Sequence, residues 1–480
     1  MCGIVGFYGP PSKKAVYDII SGLLSLQHRG QDSVGVVTFD DKFHVKKGLG
    51  LVSNVFKKVN LDSLPGSIGM GHVRYTTQGS NEIMNVQPFT VNYPFGLSMV
   101  HNGNVINFNY LRKYLYEEHH RLLETSNDLE LLLYTLASEL ELHDLKNLSI
   151  DDIFDSVKST QQKVRGAYAT ITVIANKGLL VFTDPYGIRP LVMGKKDTPD
   201  GPCYGFASES TCFDYLDYEV IGDIGAGEIV FIDNDLNVHR RTGFVEKAAH
   251  CIFCYIYFSR EDSIMRGQLV ADLRVKMGRM LAEKMREEGF EPDIVIDVPS
   301  SAYFFASGLS EELGIPYRRG FAKNNHIGRS FISPTQSERE KVVRNKLNPI
   351  REVVKGKKVA VVDDSIVRGT TSKHIVSLLR KAGADKVYFV SAAPPIVSPC
   401  IYGIDMATKG ELIANCGSID KINEIIGADA TIYQSLEDLQ KLCEKVKLPV
   451  CDACFSGNYP TGDTREIFAE IEQERLSSRK

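Results

Sequence analysis

The stretch Lys358-Val359-Ala360-Val361-Val362 is a strand-length apolar run. It ends in two adjacent carboxylates, Asp363 and Asp364, and passes through Ser365-Ile366-Val367-Arg368-Gly369-Thr370-Thr371 into a helical pattern. A strand that turns directly into a helix constrains the fold more than any single residue can. The helix must cross back over the sheet, and the next strand then lies parallel to the first. The pattern supplies both, with a helix over Ser372–Ala382, Gly383 to stop it, and a strand over Val387–Ser391. With a further strand at Ile294–Val298, the chain after about Lys247 reads as α/β around a parallel sheet.

The half before it follows another pattern. Strand-like runs at Gly3–Tyr8, Gly35–Phe39, Gly96–Val100, Tyr168–Ala175, Leu179–Phe182 and Glu228–Ile232 alternate with helical stretches at Leu111–His119 and Asp128–Leu140. This predicts helices layered on packed sheets. At 480 residues the chain is too long for one core and divides into two or three domains. The charged tail from Arg465 reads as a surface helix.

Composition bears on partners and compartment. A net charge of -4, with 24% charged and 43% hydrophobic residues, leaves no basic excess for nucleic acid or an anionic membrane. The apolar runs fall far short of the roughly 20 residues that cross a bilayer, and no charged n-region opens the chain. These features place the protein in the cytoplasm, where its ten cysteines are expected as thiols or metal ligands rather than disulfides.

The chain begins Met1-Cys2-Gly3-Ile4-Val5-Gly6, so loss of Met1 leaves a thiol and an α-amine on one residue. Such an amine, titrating near pH ~8, can take a proton from an adjacent nucleophile. Polar clusters then interrupt the strands: Leu26-Gln27-His28-Arg29-Gly30-Gln31-Asp32-Ser33, Gly71-His72-Val73-Arg74-Tyr75-Thr76-Thr77, His101-Asn102-Gly103-Asn104 and Thr125-Ser126-Asn127-Asp128. Taken singly, Arg74 reads as a structural ion pair, Asn102-Gly103 as a hairpin turn and Asp128 as a helix cap. Together with Cys2, and in this order, they resemble the glutamine amidotransferase domain of the N-terminal-nucleophile (Ntn) type. The resemblance implies that Cys2 attacks the glutamine amide while its amine relays protons, and that Asn102 and the Gly103 N–H stabilise the oxyanion. It also implies that Arg74 and Asp128 hold the glutamine α-carboxylate and α-ammonium.

In the second half, N–H groups at the start of the helix after Asp363-Asp364, with Ser365, Thr370 and Thr371, suit a terminal phosphate. The carboxylates suit ribose hydroxyls or a magnesium shell. A plain strand-to-helix turn is the alternative, but the full run resembles the phosphoribosyl pyrophosphate (PRPP) loop of type I phosphoribosyltransferases. The resemblance extends to Val298-Pro299-Ser300-Ser301 as a pyrophosphate loop, although relatives commonly carry Asp where Ser300 stands. It extends also to Gly320–Ile332 as a flexible loop that closes over the substrate. It implies PRPP binding by Ser301, Lys323, Arg329, Asp363, Asp364, Ser365, Arg368, Gly369, Thr370 and Thr371, and Mg2+ binding by Ser301, Asp363 and Asp364.

The combination resembles the amidophosphoribosyltransferases over residues 2 to 460. The fold this implies is α+β followed by α/β. An Ntn hydrolase αββα glutaminase domain would span 2–245, a type I phosphoribosyltransferase domain 246–440, and a C-terminal segment 441–480. The implied reaction opens de novo purine synthesis: glutamine, PRPP and water give 5-phosphoribosylamine, pyrophosphate and glutamate. Ammonia would pass through a channel lined by Tyr257 and Phe258. Cys251, Cys400, Cys451 and Cys454 match the ligands of the [4Fe-4S] cluster found in part of the family, whereas Cys254 departs from a common Glu. Cys254 completes a second Cys-x-x-Cys, so zinc is the alternative. The cluster is placed ahead because zinc held by the paired motifs leaves Cys400 unexplained. Cys203, Cys212, Cys416 and Cys443 are expected as buried thiols. The resemblance further implies a homotetramer inhibited by purine nucleotides such as AMP and GMP, with removal of Met1 the only processing step. A different class of protein, a PRPP-sensing regulator without catalysis, would have no use for Cys2.

Overall fold

The computed structural model describes residues 1–75, 82–324, 347–405, 408–462 and 467–468. Two antiparallel sheets form the first half. Strands β1 (Gly3–Tyr8), β2 (Ser33–Phe39), β3 (Phe43–Leu49) and β4 (Ile68–Arg74) belong to the first sheet. Strands β5 (Phe89–Val91), β6 (Leu97–Val105), β7 (Gly166–Ile174) and β8 (Gly178–Thr183) belong to the second. Strands β9 (Val192–Thr198), β10 (Gly201–Ala207) and β11 (Glu219–Asp223) complete the first, in the order β11-β9-β10-β1-β4-β2-β3. Strands β12 (Glu228–Asp233) and β13 (Val238–Thr242) complete the second, in the order β13-β12-β8-β7-β6-β5.

The sheets bury one face against each other through Ile4, Met70, Val100, Ile171 and Val230. Helix Ala15–Ser25 covers the outer face of the first sheet through Ile19 and Leu23. Helices Asp128–Glu141 and Ile150–Lys163 cover the second through Leu132, Leu136 and Val157. The result is the expected αββα stack. Strand β6 is longer than the apolar pattern predicts, because it runs on through His101-Asn102-Gly103-Asn104, paired to β7. Asn102-Gly103 is therefore mid-strand rather than a hairpin turn.

In the second half, strands Ile294–Asp297, Lys358–Asp363, Lys386–Ser391 and Ala430–Tyr433 form a four-stranded sheet, every pair parallel. Helix Thr370–Lys381 follows the second strand and Gly383 closes it at φ +95°. Cys251 pairs with Cys451 in a short parallel bridge, so the junction between the halves and the C-terminal segment are stitched together. One hydrophobic cluster then runs without a break from Met1, Ile106, Ala167 and Ile188 of the first half into Cys251, Phe253, Cys400 and Cys454. No helix among the described residues is long and apolar enough to cross a membrane.

Candidate functional site

Register brings the first group of residues together. Strand β1 pairs with β4 so that Gly3 lies opposite Val73, which sets Cys2 beside Arg74 and Tyr75. The Cys2 thiol donates to the Tyr75 carbonyl at 3.7 Å, and Arg29 Nε donates to the Cys2 carbonyl at 3.0 Å. Gly30 lets this turn lie flat on β4, since a Cβ there would stand 2.6 Å from the Val73 carbonyl oxygen. Asn102 is buried, and among the described residues neither its amide nitrogen nor its amide oxygen has a hydrogen-bond partner. A buried amide left unsatisfied loses stability and marks a place where a ligand completes the bonding. Next to it, Gly103 has φ +156°, and a Cβ would sit 1.9 Å from the Ala167 carbonyl oxygen.

Asp128 is not the helix cap; Asn127 is, its side chain accepting from the Leu129 N–H at 3.0 Å. Asp128 instead accepts from the Val105 N–H at 2.9 Å and meets His101 Nε2 at 3.1 Å, with His101 Nδ1 held by Gln87 at 2.8 Å. Burial opposes its charge, yet His101 and the N–H hold its carboxyl below the usual range. Arg74 is buried, which lowers its pKa, with Cys2, Asp128 and Asp32 around it as opposing charges. Met1 is buried, and burial, helped by Arg189 and Arg29, pushes its amine down to about 5.

At the carboxyl end of the parallel sheet, Asp363 and Asp364 are both buried, and burial pushes both carboxyls upward, with Asp364 adding to the rise at Asp363. The Ser301 hydroxyl donates to one oxygen of Asp364 and the Ser365 hydroxyl to the other. Lys323 Nζ donates to the Ser300 hydroxyl at 2.8 Å. Gly369, at φ +74°, opens the helix, and Thr370 and Thr371 begin its first turn at the surface. Arg368 turns to Glu411, 3.3 Å away. Arg329 lies outside the described residues.

Cys251, Cys400, Cys451 and Cys454 come from three separated stretches of chain into one buried region, where burial pushes Cys400, Cys451 and Cys454 upward. Cys251 donates a hydrogen bond to Cys254, which raises Cys251 and pulls Cys254 down to about 7. Among the described residues, only Asp40, Asp41 and His44 at the surface bring three ligand atoms within 4.8 Å of one another. The cysteine sulfurs are therefore spread more widely than one tetrahedral zinc ion requires, since bonds of about 2.3 Å draw thiolates to about 3.8 Å of one another. Cys203, Cys212 and Cys443 are buried thiols, but Cys416 is half-buried, donating to the Ser418 carbonyl.

Tyr257 and Phe258 form an aromatic patch with Phe253, the first two rings 5.0 Å apart, and Tyr257 is 47% exposed. The same segment reaches the Cys2 region through residues without a role in the sequence reading. Glu209 is fully buried against Arg29; it accepts from the Ser263 hydroxyl and from the Arg260 N–H at 3.0 Å. Burial opposes its charge, but Arg29 and His28 hold it well below the usual carboxylate range. Arg274 donates to the carbonyls of Tyr255 and Ser259, both at 2.8 Å. Asn104 donates to the Ile401 carbonyl at 2.8 Å, and Gly403 lies so close to Gly103 that a Cβ on it would stand 2.6 Å from the Gly103 oxygen. Arg29 and Asn104 stand inside motifs visible in the sequence, whereas Glu209 and Arg274 look like ordinary charged residues until the fold buries them.

A family model for a glutamine amidotransferase domain matches residues 72–215, and one for a phosphoribosyl transferase domain matches residues 268–396. The chain is 43% identical to the amidophosphoribosyltransferase of Pasteurella multocida, over 99% of this chain and 96% of that one. Among solved structures, a glutamine PRPP amidotransferase from B. subtilis, complexed with ADP and GMP, superposes with a TM-score of 0.83 at 38% identity, covering 96% of this chain and 97% of that one. A structure described as the allosteric regulatory enzyme of purine biosynthesis gives a TM-score of 0.84 at 38% identity, covering 96% of both chains.

Proposed function

The chain belongs to the amidophosphoribosyltransferase family, and from that membership we propose how its residues divide the reaction. The enzyme uses glutamine to convert PRPP to 5-phosphoribosylamine in purine biosynthesis, releasing pyrophosphate and glutamate. With Met1 removed, the Cys2 thiol attacks the glutamine side-chain carbonyl and its own amine takes the proton. The oxyanion meets the Asn102 amide and the Gly103 N–H, and collapse expels ammonia. Water then releases glutamate from the thioester. Arg74 and Asp128 hold the two charged ends of glutamine.

Ammonia crosses the junction by way of Tyr257 and Phe258 and displaces pyrophosphate from PRPP. Ser365, Thr370, Thr371 and the N–H groups after Gly369 hold the 5-phosphate, Ser301, Lys323 and Arg329 serve the pyrophosphate, and Arg368 contributes to PRPP binding. Asp363, Asp364 and Ser301 fit Mg2+: they offer oxygen donors, and two buried carboxylates without a cation are electrostatically incomplete. Bound there, the ion would offset charge on the leaving pyrophosphate.

The four thiols fit a [4Fe-4S] cluster better than one zinc ion, because Cys400, which the paired Cys-x-x-Cys motifs leave out, lies in the same buried cluster as Cys251, Cys451 and Cys454. The cluster's part is structural, with no step of the reaction passing through it. Residues 2–245 and 246–440 carry the two chemistries, and the segment 441–480 begins inside helix Leu436–Lys445. The nucleotides in the B. subtilis relative support inhibition by AMP or GMP. Assembly as a homotetramer in the cytoplasm completes the reading, and sedimentation tests the assembly.

The observation that carries the glutaminase assignment is Asn102, a buried amide whose two polar atoms are unpartnered among the described residues, next in the strand to His101, which meets Asp128. Purified enzyme given glutamine, PRPP and Mg2+ should release pyrophosphate and glutamate in equal amounts. Cys2→Ala should abolish that release and leave ammonia-dependent pyrophosphate release intact. Glutamine-dependent release persisting in Cys2→Ala would overturn the assignment.

A further inference from the structure

Three arginines are fully buried, and two have evident partners: Arg29 pairs with Glu209, and Arg274 donates to two carbonyls beneath the Phe305 ring. Arg189 is different. It is 0% exposed, and among the described residues no carboxylate forms an ion pair with it. Among the described residues, one arm donates to the Tyr402 carbonyl, the other reaches only the Met1 sulfur, and Nε has no partner. Asp184, an acid that feels its charge, is taken up by the N–H groups of Tyr168, Tyr186 and Ile188. Loss of Met1 would leave Arg189 with a single protein acceptor.

A guanidinium buried this way is costly unless a negative charge faces it. Arg189 lies between two of the cysteines: the Cys251 N–H donates to the carbonyl of the adjacent Ile188 at 3.1 Å, and the Tyr402 N–H, on the residue whose carbonyl Arg189 holds, donates to the Cys400 sulfur at 3.3 Å. Negative charge on Cys251, Cys254, Cys400 or Cys451 raises its pKa against burial. As neutral thiols they offset nothing. As thiolate ligands of a net-anionic cluster they supply the missing charge. Its bond to Tyr402 also places it on the segment after Cys400, which Asn104 and Gly103 contact from the glutaminase side.

We propose that Arg189 is the counter-cation of the cysteine-held cluster, so that the cluster's charge draws the Tyr402 segment onto the glutaminase domain. The proposal rests on the iron-sulfur reading and deepens it. It assigns Arg189 a positioning role: a residue of the glutaminase half sets the environment of a cofactor whose ligands all come from the rest of the chain.

The test uses the full chain, prepared without oxygen, as wild type, Arg189→Met and Arg189→Lys. Three quantities are read for each: rate of iron loss to a chelator, cluster midpoint potential, and the difference in melting temperature between cluster-loaded and stripped protein. Arg189→Met should lose iron at least about tenfold faster, in line with other outer-shell changes, and its potential should move more negative because a positive charge near the cluster is gone. Its loaded form should melt lower, yet its stripped form should melt no lower than stripped wild type, since an unbalanced buried charge has been removed. A merely structural arginine would lower both forms alike, and that result, or an unchanged potential, overturns the proposal. If Arg189→Met does not accumulate, Arg189→Lys decides: a potential at the wild-type value supports the proposal and a negative shift overturns it. Wild-type protein that holds no iron would instead bring down the cluster reading itself.

Discussion

The glutamine site and the phosphoribosyl site bury charge in opposite ways. Around Cys2, the buried ions have protein partners, Arg29 in Glu209 and Asp128 in His101 and the Val105 N–H, while among the described residues both polar atoms of the neutral Asn102 amide are unpartnered. Around Asp363 and Asp364, two carboxylates are buried side by side and, among the described residues, neither forms an ion pair. The first site is organised before glutamine arrives. On the proposed reading, the second is held in a form that PRPP and Mg2+ would complete. Removing a charge should therefore cost stability in the first site and relieve it in the second.

The largest expected effect comes from Asp363→Asn with Asp364→Asn. Glutamine- and ammonia-dependent synthesis should both fall by at least about 10³-fold, because the charge that organises Mg2+ and ribose is lost. Both carboxyls lie above their ordinary value of about 4, so they contribute stability while protonated and lose it as pH rises through their folded values. Without Mg2+, the double variant should melt higher than wild type at pH 7, with the gap closing toward about pH 4. A lower melting temperature at pH 7 would break the contrast.

Glu209→Ala should do the reverse. It strands Arg29 in the core, and breaking a buried pair this way costs about 3–5 kcal/mol, visible as a lower melting temperature. The Glu209 carboxyl is held below its ordinary value of about 4.3, so its contribution is present above that pH and fades as pH falls toward its folded value. Wild type and variant should converge in acid. A gap that widens there would contradict the assignment.

Asn102→Ala removes the unsatisfied amide. Glutamine-dependent kcat should fall by about 10²–10³-fold, the usual effect of losing one oxyanion donor, with the KM for glutamine and the ammonia-dependent rate nearly unchanged. An effect confined to KM would move Asn102 from the oxyanion to substrate binding.

The smallest expected change is at Asn104→Ala, which breaks the hydrogen bond to the Ile401 carbonyl. A loss of about 1 kcal/mol in stability should accompany a few-fold fall in glutamine-dependent kcat. An equal fall in the ammonia-dependent rate would show that this contact serves the whole molecule rather than the Cys2 site.

The same contrast explains what was legible beforehand. The phosphoribosyl site is local: Asp363 ends a strand, Gly369 opens the next helix, and residues 363–371 read as one piece because strand end and helix start are neighbours in the chain. The glutamine site is assembled from residues as far apart as Cys2 and Asp128 by pairing across two sheets. Its motifs were visible, but only a resemblance supplied their roles. Local reading also misled at three points. Asn102-Gly103 reads as a turn although β7 holds it extended, Asp128 reads as a cap although Asn127 takes that place, and Cys416 reads as buried although it is half-exposed.

By itself the sequence determined the identities and order of the chemical groups: a cysteine next to the start of the chain, the polar clusters that follow it, the paired acids before a phosphate-type loop, and cysteines enough for a cluster. Periodicity and turn residues also determined the layered first half and the parallel second half, because strand alternation and helix stops are local effects of backbone geometry. Only the tertiary structure decided which charges lose water and what they then face. Glu209 becomes a buried anion against Arg29, Arg274 lies under Phe305, and Arg189 is left facing sulfur. Burial is a property of the packed molecule, and the energy of a charge depends far more on its surroundings than on its place in the chain.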